Sequence, residues 1–224
     1  MRKIGLATAI SGLVFGMSSA SAVDFDVTAE VENALEVTVV QPMSWGALFA
    51  SNANGDSASG LKMDPNGDIE AVNDLEISTE TGAESAPAFL SLGGQAPARG
   101  SVASNNNNFI LSVPNFKTIN LSEAADFSTD NAVVVRIAGG DPDVARFYMV
   151  DFTVGDYVGG KLDTEVAENP AEADDSTDYI IDPDFNSNEV EFGIGATIYT
   201  DGSGTRTTYE QGTYEGTFTV TASY

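Results

Sequence analysis

The stretch Tyr214-Glu215-Gly216-Thr217-Phe218-Thr219-Val220-Thr221-Ala222-Ser223-Tyr224 decides the fold class of this chain. Tyr214, Gly216, Phe218, Val220, Ala222 and Tyr224 fall on one side of an extended backbone, and Thr213, Glu215, Thr217, Thr219, Thr221 and Ser223 fall on the other. Successive side chains of a strand point to opposite faces, so a period of two with threonines on the polar side predicts a half-buried β-strand. Working backwards, the same period returns at Val190, Phe192, Ile194, Ala196 and Ile198. Shorter apolar runs predict strands at Ile69–Ile77, Ala88–Leu92, Phe109–Val113, Val133–Ile137 and Phe147–Val154.

Polar clusters separate these runs at Ser51–Gly60, Asp64–Asp68, Ala103–Asn108, Gly139–Asp143 and Asp201–Gly204, and read as turns. A longer acidic loop is expected over Asp163–Asp178; Pro170 interrupts any helical turn within it. No amphipathic helix is legible. Many short strands joined by polar turns predict an all-β chain folded as an antiparallel β-sandwich, immunoglobulin-like or pilin-like in plan.

At the other end, Phe25, Val27, Ala29 and Val31 alternate with Asp24, Asp26, Thr28, Glu30 and Glu32, and Leu35, Val37 and Val39 resume the period after Asn33. Fully extended, Asp24–Val40 would span roughly 55 Å at about 3.3 Å per residue. Strands usually run about 5–6 residues, so two strands broken near Asn33 are expected. The second, Leu35–Val40, belongs to the domain's own sheet. The first, Phe25–Val31, either folds back on that domain or pairs with another molecule.

Residues 1–22 read as a secretory signal peptide. Arg2 and Lys3 form a short positive region, Ile4–Met17 carries no charge, and Ala20-Ser21-Ala22 offers the small-x-small pattern of signal cleavage before Val23. The apolar run is shorter than the roughly 20 residues a membrane span needs. The expected organisation is therefore 1–22 signal peptide, 23–33 extension or first strand, and 34–224 a single β domain. The expected route is general export to the periplasm, then the cell surface or the medium.

Composition closes many chemistries. The chain has 9 Lys+Arg against 34 Asp+Glu, a formal charge of −25, no His and no Cys. Nucleic-acid backbones and anionic membranes need clustered cations, which this composition does not favour. Without His or Cys there is no Ser-His-Asp triad, thiol nucleophile, imidazole metal site or disulfide. Carboxylate pairs remain, but no acid stands in a recognisable motif. Ser91 and Ser101 lie near glycines without making a Gly-x-Ser-x-Gly elbow. No enzyme is expected.

Asp182, Asp184, Asn186 and Asn188 place oxygen side chains at alternate positions, a spacing that can wrap calcium. The EF-hand glycine and twelfth-position glutamate are absent, Ser187 and Gly193 standing there, so the run fits a solvated loop as well. No other cofactor is expected. Trp45, the single tryptophan, reads as a core plug in preference to a sugar-stacking platform.

Both ends resemble the secreted bacterial family named domain of unknown function 4402, whose members are similar cysteine-free β proteins with a signal peptide. Met43-Ser44-Trp45-Gly46 stands where that family has Leu-x-Phe-Gly. Gly212-Thr213-Tyr214-Glu215-Gly216-Thr217-Phe218-Thr219-Val220-Thr221-Ala222-Ser223-Tyr224 resembles its closing Gly-x-Tyr-x-Gly-Thr-Phe-x-Val-x-x-x-Tyr. Phe192-Gly193-Ile194-Gly195-Ala196-Thr197-Ile198 is similar to its Val-Gly-Gly-Thr-Leu strand. The resemblance implies compartment and fold, and no activity.

A more distant resemblance, to chaperone–usher pilus subunits, rests on the signal peptide, the alternating extension and a closing strand with Gly and Tyr. It implies assembly by strand addition, with a periplasmic chaperone and an outer-membrane usher as partners beside like subunits. Phe25, Val27, Ala29 and Val31 would be the donor strand; Tyr214, Phe218, Val220 and Tyr224 would form the acceptor side. The tyrosine here is terminal where that family has it penultimate. The expected function is thus a secreted, non-enzymatic subunit of a surface fibre. The alternative is a monomeric secreted module that binds a glycan or a surface partner, stabilised by calcium.

Overall fold

The computed structural model describes residues 34–51, 58–72, 88–104, 107–116, 132–166, 176–202, 206 and 208–224, and among these every regular element is a β-strand with antiparallel neighbours. The strands are β1 (Ala34–Leu35), β2 (Val37–Gln41), β3 (Leu48–Ala50), β4 (Gly60–Met63), β5 (Ile69–Val72), β6 (Phe89–Ser91), β7 (Ala98–Ala103) and β8 (Phe109–Pro114). They continue as β9 (Val133–Ile137), β10 (Phe147–Val158), β11 (Gly160–Val166), β12 (Ser176–Pro183), β13 (Glu189–Thr200), β14 (Tyr214–Glu215) and β15 (Thr221–Ser223).

One sheet has the order β1-β15-β8-β12-β11. The other runs β14-β9-β10-β13-β4-β5, with β7 also on β13 and β2 on β7, and it curls into a half-barrel. A small ribbon pairs β3 with β6. The branch in the large sheet arises on β13. Its first half, Glu189–Ile194, pairs β7, and Ala196–Tyr199 pairs β4, while β10 runs along the opposite edge.

Period two explains why these segments are strands. Phe109, Leu111 and Val113 of β8, Tyr179 and Ile181 of β12 and Ala222 of β15 share one buried cluster with Leu61, Met63, Val102, Phe192, Ile194 and Ile198 of the large sheet. In β10 the inward set changes parity, from Phe147 and Met149 to Phe152 and Val154. A bulge causes this. Val150 pairs Thr197 and Thr153 pairs Gly195, so β10 carries one extra residue there; a second bulge lies between Gly155 and Val158. Asp151 and Asp156, at φ 50 and 49, are the left-handed residues of the two bulges. Bulges bend a strand and raise its twist, which curls the sheet around the core.

The large sheet is buried on its outer face too. There Tyr148, Val150 and Tyr199 form a second cluster with Ala58 and Ala132. Farther along that face, Gly193 and Gly195 leave room for the β4–β5 turn. A Cβ on Gly193 would run into Pro65 O, and one on Gly195 into Met63 O. The Phe192-Gly193-Ile194-Gly195 spacing is therefore a packing device.

Several expectations change. The closing run is not one strand: it ladders at Tyr214–Glu215 on β9 and at Thr221–Ser223 on β8, and residues 216–220 cross between the sheets without a ladder. Tyr224, on the apolar side of the run, is 42% exposed; Ala222 is the residue buried there. Within the expected acidic loop, Asp163–Val166 and Ser176–Asp178 are strand, because Gly160–Val166 and Ser176–Pro183 pair across the apolar Ile181 and Tyr179 side. Gly60 begins a strand instead of ending a loop. Leu35–Val40 splits between sheets, β1 on β15 and β2 on β7.

Candidate functional site

Three places in the described structure bear on function. The first is where the first described strand meets the last. β1 is the outermost strand of its sheet and covers β15 over two residue pairs, Ala34–Ser223 and Leu35–Ala222. β15 lies between β1 and β8. Of the acceptor residues expected from the sequence, Phe218 packs on Phe152 with ring centroids 4.9 Å apart, and Val220 is half-buried against the core. Tyr214 packs edge-on to Phe147 at 5.1 Å, on the other sheet, so the structure does not gather the four residues at one place. Donor residues Phe25, Val27, Ala29 and Val31 lie outside the described residues.

The second is the corner that carries Asp182, Asp184, Asn186 and Asn188. Here β12 passes from one sheet into β13 of the other, beside the point where β10 turns at Gly159 into β11. The corner is closed by its own hydrogen bonds. The Asp184 amide donates to Gly159 O at 2.9 Å, the Ser187 amide to Asp184 O at 2.8 Å, and Ser187 Oγ to Glu189 O at 2.6 Å. Asp182 is ion-paired with Lys161 at 3.2 Å. Asn186 takes φ 66, and Phe185 at the tip is 90% exposed. Among the described residues, no three acidic side chains come together as a metal site.

The third was not legible as a unit in the sequence. Beyond β13, Asp201 is 1% exposed, and its Oδ2 accepts from Arg206 Nη1 at 2.8 Å. Arg206 Nη1 also donates to Tyr148 Oη at 3.0 Å. Tyr209 Oη accepts from the Asp201 amide at 2.6 Å and donates to Arg146 O at 2.9 Å, tying the loop after β13 to the start of β10. Burial lowers the Arg206 guanidinium, but Tyr148 and Asp201 outweigh it and hold the group above its ordinary value. Burial pushes the Tyr148 and Tyr209 phenols up; the Asp201 charge adds to this at Tyr148, while at Tyr209 the hydrogen bond from the Asp201 amide opposes it. Next to this network, the β9–β10 connection forms a recess of roughly 140 Å³ lined by Arg136, Ile137, Gly140, Asp141, Pro142, Val144 and Arg146. The available signal was two arginines bracketing the Gly139–Asp143 turn.

Trp45 is a core residue, as read from the sequence. The glycine after it takes φ 66 and lies where a Cβ would meet Gly93 O, so the Trp-Gly element marks a tight backbone crossing. Comparison with family models, with curated proteins and with solved structures returns no match.

Proposed function

We propose that this chain is a secreted, non-enzymatic structural subunit of a bacterial surface fibre, with an antiparallel β-sandwich of immunoglobulin-like or pilin-like plan. In this reading it belongs with the domain of unknown function 4402 proteins that its ends resemble, and subunits assemble by strand addition. The observation that carries the reading is the short cover on β15. Its outer edge is paired over two residues only, and the alternating Phe25–Val31 segment stands immediately upstream of the strand that covers it. A strand edge of this kind accepts an added strand through main-chain bonds, with alternate side chains filling pockets. Donation to the next copy is heterologous and non-closing, which generates a filament by symmetry. A chaperone and usher would cover the edge before assembly.

Negative-stain microscopy and size-exclusion chromatography of the mature protein, with and without Val23–Glu32, test this. Fibres or ladders that vanish on truncation support it; fibres that persist after truncation overturn it.

One observation favours the second reading, a monomeric secreted module for a glycan or surface partner. β15 is flanked by β8 and β1 of its own chain, so it has a strand on each side without a neighbouring molecule. Its mark would be a compact monomer in both forms, with calcium raising the melting temperature if Asp182, Asp184, Asn186 and Asn188 bind it.

A further inference from the structure

Cations are scarce in this chain, so their placement is informative. Among the described residues Lys62 pairs with Glu70, Arg99 with Asp156, Lys161 with Asp182 and Arg206 with Asp201. Arg136 and Arg146 make no ion pair with a carboxylate among the described residues, and they line the same recess. The β9–β10 ladder pairs Phe147 with Val135, and Arg146 and Arg136 are the next residues outward on the two segments. Like charges placed directly across a strand pair are destabilising. Two guanidiniums that line one recess, with no ion pair to a carboxylate among the described residues, are a costly arrangement unless something else neutralises them.

The groups around the pair are accounted for. Arg146 Nη2 donates to Pro142 O at 2.8 Å, which fixes its direction across the recess. Asp141 lines the recess, but its Oδ1 accepts from the Asp143 amide at 2.9 Å. Glu215 faces Arg136 across the β9–β14 ladder without an ion pair forming. Asp201 is held by Arg206. The Arg146 guanidinium is depressed from its ordinary value by burial, then by Arg206 and Arg136, with Tyr148 and Asp201 opposing the shift.

We infer that the Arg136–Arg146 recess is an oxyanion site, taking one carboxylate or phosphate group between two guanidiniums. Its volume of roughly 140 Å³ holds a few water-sized groups, at about 30 Å³ for each water, and so suits a single oxyanion. Planar guanidiniums match carboxylate and phosphate by paired hydrogen bonds. The group can arrive as a free anion or on an acidic side chain of a second copy. The inference does not depend on strand donation.

Titration of the full mature protein with inorganic phosphate and with acetate at low ionic strength, read by calorimetry and by melting temperature, tests the site. Wild type should bind and gain melting temperature. Arg136→Gln, at an exposed position, should weaken phosphate binding by roughly tenfold or more and lose the gain. Without anion it should melt no lower than wild type, since it removes a repulsion; a merely structural arginine would give a loss. Lys62→Gln should behave as wild type. Sedimentation at low salt separates the sources. A monomer that binds phosphate identifies a free anion. Self-association dispersed both by phosphate and by Arg136→Gln, yet retained after removal of Val23–Glu32, identifies a carboxylate of a second copy. Wild type with neither anion binding nor such association would overturn the site, as would an equal loss in Lys62→Gln.

Discussion

Two stretches with the same apolar period, Glu189–Thr200 and Tyr214–Tyr224, are built into the molecule differently. β13 is unbroken and has a neighbour on each side, β10 along one edge and β7 then β4 along the other. The closing stretch ladders only near its ends and passes from the large sheet to the small one between them. Yet Tyr214, Phe218, Val220 and Ala222 still turn towards the core while Thr217, Thr219 and Thr221 face outward. The period of two therefore reports which side of an extended chain is dry. A ladder additionally requires a strand within reach, and that depends on distant parts of the chain.

The largest test of this contrast is a matched pair of truncations. Phe192→Ala in β13 removes a ring that is 1% exposed and should cost about 3–5 kcal/mol in urea unfolding. Phe218→Ala removes a half-buried ring against Phe152 and should cost about half as much. Equal losses would break the contrast. Next come the glycines. Gly195→Ala drives a Cβ into backbone at Met63 and Asp64 and should cost about 1–3 kcal/mol or more. Gly216→Ala meets Val134 O and Val135 Cγ2 at 3.0 Å in the unladdered crossing, where a shift of a few tenths of an ångström suffices, and should cost less than about 1 kcal/mol. Denaturant midpoints of the two variants would measure the difference.

A separate test is alkaline. Burial raises the folded-state values of Tyr148, Tyr209 and Tyr214 above the ordinary phenol value of about 10. Below that pH both states keep the proton and the contribution is whole. As pH rises past about 10 the unfolded chain releases its protons first, and stability falls. Tyr209→Phe should flatten this alkaline limb while lowering neutral stability by about 1–3 kcal/mol through the lost Asp201 and Arg146 bonds. A limb unchanged by Tyr209→Phe would mean that another group drives it.

Strand identity was legible wherever one face is apolar and the other polar. Val133–Ile137 is a strand over the expected residues, and Phe109–Pro114 exceeds expectation by one. Ala98–Ala103 was hidden because Arg99, Gly100 and Ser101 leave Val102 as its one large apolar interior residue; Phe192 lies against Gly100. Gly160–Val166 was hidden by its acidic sequence; the exposed Asp163 is tolerated on an edge strand. The outer cluster of Tyr148, Val150 and Tyr199 was missed because a bulge at Asp151 moves the apolar parity from one face to the other within a single strand. The arginine recess could not be read from spacing, since Arg136 and Arg146 become neighbours only through the register of β9 on β10.

The pairing of β1 with β15 also has a mechanical meaning. Ala34 lies opposite Ser223 in antiparallel register, so both ends of the pair leave it on the same side. A pull applied at those two residues loads the ladder as a zipper, breaking its bonds one after another, and not in shear. Tension would peel β1 away first, while β10 and β13, bonded along most of their length and buried on both faces, would stay assembled as the part that resists.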